Sequence, residues 1–392
     1  TLLILNWIKI FTLVSFLIPS ESALGETRVS ATPETVKKFL DLGCKVFFEK
    51  GAGEAAGFLD NSYADAGAEL VENDNNELKK IVDIVLCVQP PNENFLSYLK
   101  PGALLVGLLD PYGNDLLAEK LKTQKISAIS LELLPRISRA QSSDALSSQA
   151  NIAGYKSVLL AASSLDRYFP MLMTAAGTIQ PSKVVVLGAG VAGLQAVATA
   201  KRLGAVVYVS DIREAVKEQV ESLGARFIDL PKIDETPSES GGYAKQVSNE
   251  FLIAQRKELA NQLSEADVAI CTAQVPGKKA PKLIDENMLD DMRPGSVVVD
   301  LAVLSGGNCA CSKPGETILR KGVKIIGASN LPCSVPNHAS SLYSRNLFSL
   351  LQPMFKEGKF LIDNDDELIS GSLISKDGVI LKSEIIENGG IK

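Results

Sequence analysis

Short runs of β-branched and aliphatic residues recur along the chain, each separated from the next by enough residues for one helix. The early runs are SFLI at 15–18, KVFFE at 45–49, DIVLCV at 83–88, GALLVGLL at 102–109 and ISAISLELL at 126–134. After a stretch of small and apolar residues at 145–180 the series restarts. It continues with KVVVLGAG at 183–190, AVVYVSD at 205–211, ARFIDL at 225–230, DVAICTAQ at 267–274, GSVVVDLA at 295–302 and VKIIGAS at 323–329. Continuous apolar runs of this length, alternating with helical segments, read as parallel strands covered on both faces.

The pattern therefore predicts an α/β protein of two doubly wound, parallel-sheet, Rossmann-like subdomains with a cleft between them. The first spans 14–145 and is completed by 335–392, and the second spans 146–334. DIVLCVQPP followed by KPGALLVGLL in the first half lines up with DVAICTAQVPG followed by RPGSVVVDLA in the second. The shared basic-Pro-Gly before a strand favours duplicated architecture. The stretch at 145–180 reads as one long helix passing between the halves. The tail reads as helical through SSLYSRNLFSLLQPMF at 340–355 and as packing back onto the first half.

The opening residues TLLILNWIKIFTLVSFLI form an apolar run broken by Lys9. One reading is an upstream remnant entering a buried strand at 14–18, and the other is a targeting or membrane segment. Because the chain starts at Thr1 and not at methionine, its true beginning is expected to lie upstream.

Composition narrows the class. A chain of 392 residues with 46% hydrophobic and 22% charged residues is long enough and apolar enough for two folded domains. A formal net charge of −6 excludes a general nucleic-acid binder, whose affinity comes from basic groups meeting phosphates. The six cysteines are scattered, several within strand-like runs, and read as buried free thiols of a reducing compartment. Cys309 and Cys311 with the single His338 do not supply the four spaced ligands of a zinc site, so no metal is expected.

The chemistry concentrates at VVVLGAGVAGLQAVATAKRLGAVVYVSD, residues 184–211. Gly188 permits a tight turn out of the strand, and Gly190 lets backbone amides approach a pyrophosphate. Gly193 allows a helix beginning near Val191 to pack closely on the strand. Asp211 follows Gly193 by 18 residues, at the end of the next strand. A carboxylate there accepts hydrogen bonds from ribose hydroxyls and repels a 2′-phosphate, so NAD(H) is expected over NADP(H), with Ile212 and Arg213 beside it. Arg213 weakens that preference slightly.

A dehydrogenase acting on an alcohol or amine must also move a proton, which calls for a poised base. His338 sits at a turn or helix start and does not look like one. Hydride exchange between two nicotinamides needs only aligned rings. The polar cluster PRISRAQSSDALSSQAN at 135–151 leaves the carboxyl end of a strand, with Arg136, Gln141, Asp144 and Ser147 spaced by five, three and three residues. Two readings stand side by side: a catalytic cluster, and a capped helix with a solvated polar face. A second segment, DETPSESGGYAKQVSNEFLIAQRKEL at 234–259, reads as a mobile loop with Gly241, Gly242 and Tyr243 near its tip. Tyr243 is either a lid residue over bound nucleotide or a surface-packed aromatic.

At these residues a resemblance becomes specific. GETRVSATPETVKKFLDLG, RISRAQSSDALSSQANIAGY, RYFPMLMTAAGTI, VLGAGVAGLQAVATAKRLGA, ESGGYAK and MRPGSVVVDLAVLSGGN together resemble the NAD(H)-binding domain I, the alpha subunit, of proton-translocating NAD(P) transhydrogenases. The resemblance runs from about residue 14 to near the C-terminus. It implies a homodimer that docks onto a separate NADP(H)-binding domain III, with hydride passing directly between nicotinamides and a membrane domain II coupling transfer to proton movement. It further implies that Arg136, Gln141, Asp144 and Ser147 surround the nicotinamide and that Tyr243, with Gly242, belongs to a loop closing on NAD(H). Gly188, Gly190, Val191 and Asp211 would hold the adenosine diphosphate moiety, with Gln255 a further contact. A location on or tethered to an energy-transducing membrane follows, facing bacterial cytoplasm, mitochondrial matrix or plastid stroma.

Alanine dehydrogenases are similar in fold and at TRVSATPETV. Where that family has a substrate-binding lysine this chain has Gln89, its histidine region reads GLLDPYG, and its acid position is Leu304. These departures argue against amino-acid oxidation. A non-catalytic NAD-binding module is the remaining alternative.

Overall fold

In a computed structural model, the described residues are 13–229, 249–356 and 359–388, the side chains of 249–255 and 387–388 excepted. The chain forms two compact units. One runs to Leu146 and resumes at Pro336–Asn388, and the other is Ser147–Val335.

The first unit opens with β1 (Ser15–Ile18), β2 (Lys45–Glu49), β3 (Glu69–Val71), β4 (Ile84–Leu86), β5 (Leu104–Gly107) and β6 (Ser127–Ser130). These lie side by side in the order β3-β2-β1-β4-β5-β6, all parallel. The second unit starts with a hairpin of β7 (Leu172–Thr174) and β8 (Gly177–Ile179). Its main sheet is built from β9 (Lys183–Leu187), β10 (Val206–Ser210), β11 (Arg226–Phe227), β12 (Val268–Cys271), β13 (Val297–Asp300), β14 (Thr317–Arg320) and β15 (Val323–Gly327). The order is β11-β10-β9-β12-β13-β15-β14, parallel except for β14. Both units thus reverse direction between their first and fourth main strands, the switch point beside which α/β sheets bind ligands. The tail adds a small hairpin, β16 (Phe355–Lys356) with β17 (Lys359–Phe360), and then β18 (Leu373–Lys376) and β19 (Val379–Ile380), antiparallel beside β6.

The apolar runs become the central strands because both faces are covered: β4, β5, β12 and β13 are buried at every residue. Strands that the pattern did not announce lie at or near edges. β3 and β14 are half exposed, and β14 alternates between exposed and half-buried positions, so neither needs an apolar run.

The internal repeat has a structural counterpart at the amino-terminal edges of the sheets. Asp83, just before β4, accepts a hydrogen bond from the Ser15 amide at 2.8 Å, and Asp267, just before β12, accepts one from the Lys183 amide at 2.9 Å. Each aspartate therefore pins the start of its unit's first main strand. The basic residue of each basic-Pro-Gly returns to the same carboxylate, Lys100 to Asp83 at 2.5 Å and Arg293 to Asp267 at 4.0 Å. The glycine that follows is left-handed in both, with φ of +81° at Gly102 and +88° at Gly295.

One expectation is corrected. The stretch at 145–180 is not a single helix: the helix is Ala145–Ser164, and β7–β8 follow. The chain leaves the helix at Leu165–Pro170, where Arg167 donates to Asp267 at 2.6 Å and to the Pro294 carbonyl at 3.2 Å. Pro170 has no amide to continue a helical ladder. ARFIDL also yields only the two-residue β11.

None of the six cysteines is in a disulfide; Cys44, Cys87, Cys271 and Cys309 are buried and Cys311 and Cys333 half-buried. Burial pushes the Cys44 and Cys309 thiols up to about 12, so both remain protonated. Among the described residues no helix is long and apolar enough to cross a membrane.

The tail helix Pro336–Leu351 buries Ala339, Tyr343, Leu347 and Leu350, a helical stripe, in the first unit's core. The Tyr343 hydroxyl donates to the Cys87 carbonyl at 2.7 Å and accepts from the Leu108 amide at 3.2 Å, joining the ends of β4 and β5. Tyr343→Phe strands both backbone groups without opening a cavity. It is expected to cost about 1–3 kcal/mol in chemical denaturation, and an unchanged midpoint would contradict this role.

Candidate functional site

In the second unit, β9 ends at Leu187 and the helix Val191–Arg202 begins four residues later, with Gly190 as its N-cap residue. Gly188 turns the chain with φ of +101°, a conformation that side chains rarely adopt. A Cβ on Gly193 would lie 1.9 Å from the Gly188 carbonyl oxygen, so helix and turn touch backbone to backbone. Gly190 has the opposite surroundings: a Cβ there meets nothing within 4 Å. The turn is therefore packed from beneath and open above, and the first helical amides face the opening because no preceding carbonyl can pair with them. Gly190 and Val191 are exposed. This is the cradle a pyrophosphate requires, with the helix dipole adding attraction for its charge.

Asp211 directly follows β10. Its carboxylate accepts from the Ala189 amide at 2.7 Å, from the Arg213 amide at 2.9 Å and from the Arg213 guanidinium at 3.0 and 2.9 Å. The group that would read a ribose thus also holds the middle of the glycine turn. Ile212 and Arg213 are half-buried beside it.

Three residues of this site carry no local sequence signal. Thr272, just after β12, donates to the Leu187 and Gly188 carbonyls at 3.1 and 2.9 Å and so ties down the turn. Asn308, fully buried, accepts from the Ala273 amide at 3.0 Å and donates to the Ala273 and Pro281 carbonyls at 2.9 and 2.8 Å. Asp300, also fully buried, receives the Ala302 and Cys309 amides and the Ser312 hydroxyl. Thr272 and Asn308 act through residues distant in sequence, and Asp300 through residues two to twelve positions on.

The helix Ala145–Ser164 reaches the same place. A Cβ on Gly154 would lie 2.1 Å from the Ala192 carbonyl oxygen, and the Asn151 amide donates to Gln195 Oε1 at 3.0 Å. Ser147 stands in the first turn of this helix, about two turns before Gly154. Ahead of it, Ser138–Ser143 form a 3₁₀ segment containing Gln141, and Asp144 is its C-cap residue, donating its amide to the Gln141 carbonyl at 3.4 Å. Arg136 precedes that segment and is exposed, as is Gln141, while Asp144 and Ser147 are half-buried. Gln141 thus lies in the 3₁₀ segment, Ser147 in the helix, and Asp144 at the non-helical residue that joins them. In the first unit the Asn346 amide of the tail helix donates to the Ser142 carbonyl at 2.8 Å, and Arg139 pairs with Asp366 at 2.8 and 2.5 Å. Gly242 and Tyr243 lie outside the described residues, as does the side chain of Gln255, whose backbone is in the helix Asn249–Ser264.

The first unit fills the matching edge with carboxylates. Glu21, after β1, accepts the Val88 and Gln89 amides at 2.6 and 3.1 Å, and Glu132, after β6, accepts those of Leu109 and Asp110 at 3.1 and 2.8 Å. Arg28 is buried against Glu26 at 2.7 and 2.6 Å, and the Gln89 amide also donates to Glu26 at 3.2 Å. Carboxyl side chains thus take up backbone amides at this edge, where the second unit leaves the amides of its glycine turn open.

Burial raises the Glu21 carboxyl from 4.5 to about 7, against the lowering effect of its backbone donors. A carboxyl raised on folding favours the folded state fully below about pH 4.5 and loses that contribution as pH rises through about 7. The melting-temperature advantage of the native chain over Glu21→Gln is expected to shrink across that window. A pH-independent difference would contradict the assignment.

Two family models cover the chain: "Alanine dehydrogenase/PNT, N-terminal domain" at residues 17–153 and "Alanine dehydrogenase/PNT, C-terminal domain" at 157–383. An NAD(P) transhydrogenase subunit alpha protein of Rhodospirillum rubrum is 45% identical over 380 residues, covering 95% of this chain and 99% of that protein. The crystal structure of a transhydrogenase from Sinorhizobium meliloti superposes with a TM-score of 0.84 at 41% identity, over 94% of this chain and all of that one. An L-alanine dehydrogenase structure follows at 0.78 and 26%, over 95% and 98%. With a glycine turn, a carboxylate bonded to that turn and a repeated sheet order already in place, these matches show that the chain belongs to the alanine dehydrogenase/PNT family, alongside the alpha subunits of NAD(P) transhydrogenases.

Proposed function

We propose that this chain is the NAD(H)-binding component of a proton-translocating NAD(P) transhydrogenase, active only with a partner domain that carries NADP(H). The observation that carries the reading is the cradle at Gly188, Gly190 and Gly193 with Asp211 at its side. Gly190 leaves room for the pyrophosphate, the helix at Val191 offers amides to it, and Asp211 selects the unphosphorylated ribose.

A nicotinamide held here would supply hydride to a second nicotinamide, chemistry that asks no residue of the chain to take up a proton. The chain's own residues then have only to hold and present. Asp144 and Ser147 orient the carboxamide, Arg136 lies beside the ring, and Gln141 reaches towards the NADP(H) side. Gly242 and Tyr243 belong to a loop that closes on the nucleotide, and Gln255 is a further contact. Alignment of the two rings is the rate-determining contribution of such a site.

Surroundings at the expected substrate positions of an alanine dehydrogenase support this reading over that one. The Gln89 amide is engaged by Glu26, and Leu304 is 63% exposed and carries no acid. We further propose a homodimer that docks onto an NADP(H)-binding domain III and a membrane domain II, at the reducing face of an energy-transducing membrane. The hairpin β7–β8 supports the dimer, since Met171, Met173 and Ile179 are 54%, 77% and 44% exposed on it.

Mixing the chain with a purified transhydrogenase domain III is expected to give rapid hydride transfer from NADH to an NADP+ analogue. NADH binding without transfer would leave a nucleotide-binding module, and alanine-dependent NAD+ reduction by the chain alone would make it an amino-acid dehydrogenase. Gln141→Asn is expected to slow transfer by about tenfold to a hundredfold with NADH affinity nearly unchanged. Transfer at the native rate in this variant would remove Gln141 from its role. Asp211→Ala is expected to weaken NADH binding by about tenfold or more.

A further inference from the structure

We infer that Arg213 is a displaceable plug on the ribose-reading carboxylate, and that it becomes the acceptor of a 2′-phosphate when that carboxylate is removed. The inference rests on NAD(H) binding at this fingerprint. An ionised carboxylate offers about four acceptor positions, and four N–H groups occupy those of Asp211. Two belong to the backbone: the Ala189 amide on Oδ2 at 2.7 Å and the Arg213 amide on Oδ1 at 2.9 Å. These are fixed by the glycine turn and by the bend after β10. The other two belong to one side chain, with Arg213 Nε on Oδ1 at 3.0 Å and Nη2 on Oδ2 at 2.9 Å.

A ribose that donates hydroxyls to Asp211 therefore meets a filled carboxylate until the guanidinium moves aside. The side chains differ in their freedom to do so: the carboxylate is 7% exposed and the arginine 18%. When the guanidinium moves, the two backbone donors remain to hold the carboxylate still. The displaced group stays tethered two residues away, permanently charged and planar, with the fork geometry that suits a phosphate. Among the described residues, Lys217 and Arg226 are engaged elsewhere, Lys217 with Asp229 at 2.5 Å and Arg226 with the Tyr208 hydroxyl at 2.8 Å. Asp211 thus acts against NADP(H) twice: it repels the 2′-phosphate, and it sequesters the cation that would receive it.

The test titrates NADH and NADPH, followed by nucleotide fluorescence, against the full chain as native protein, Asp211→Ser, Arg213→Ala and the double variant, with circular dichroism confirming the fold. Asp211→Asn, which keeps an acceptor for the Ala189 amide, replaces the serine variant should that one unfold. Removing Asp211 is expected to tighten NADPH binding by about tenfold over the native chain. Adding Arg213→Ala is expected to abolish the gain. No gain in the single variant, or an equal gain in the double, overturns the phosphate role. Arg213→Ala alone is expected to bind NADH at least as tightly as the native chain, and weaker binding overturns the plug. A native chain that binds neither nucleotide would instead refute the underlying reading, a result distinct from all of these.

Discussion

The contact between Gly193 and the Gly188 carbonyl is the constraint on which the second unit's site depends. No side chain fits at 1.9 Å, so the helix Val191–Arg202 begins directly on the turn that ends β9. Thr272 holds the same turn from β12 and Asp211 holds it from β10. Three neighbouring strands therefore converge on one short stretch of backbone, and the amides that remain unpaired there are those at the open end of the helix. Gly154 extends the arrangement, since its approach to Ala192 brings a second helix against the first turn.

Two sheets of one strand order have been used differently. At their amino-terminal edges they are alike, with an aspartate pinning the first strand and a basic residue returning to it in each. These groups stabilise the starts of parallel strands. At the carboxyl edges the units diverge. The second presents glycine and free amides, while the first closes the strand ends with Glu21 and Glu132 and pairs its buried arginine with Glu26. The duplicated scaffold thus differs at the turn after the first main strand, which is open at Gly190 in the second unit and closed by the Glu21 carboxyl in the first.

Much of the fold was legible because burial on both faces demands continuous apolar runs, and those runs became β1, β2, β4 to β6, β9, β10, β12, β13 and β15. The strands without such runs, β3, β14, β18 and β19, were not legible, since a strand at or near an edge needs neither face fully buried. The end of the helix at Ser164 was missed for a related reason. Pro170 limits the helix locally, but where the chain turns off after Ser164 is set with Arg167 reaching Asp267, a partner 100 residues away. The tail was readable from its helical stripe, but the hydroxyl of Tyr343 bridging two strand ends was not.

For the site, the sequence by itself determined the glycine turn, the carboxylate at the correct distance and the polar segment Arg136–Ser147, because each depends on residues close together along the chain. Spacing of a few residues fixes a turn or a helix face irrespective of what surrounds it. Only the tertiary structure decided what those groups touch. Thr272, Asn308 and Gly154 reach the cradle through chain crossings of dozens of residues, which no local pattern records. Arg213 is near Asp211 in sequence, yet its conformation is a tertiary matter too. It folds onto the carboxylate because the Ala189 amide orients that carboxylate from a neighbouring strand.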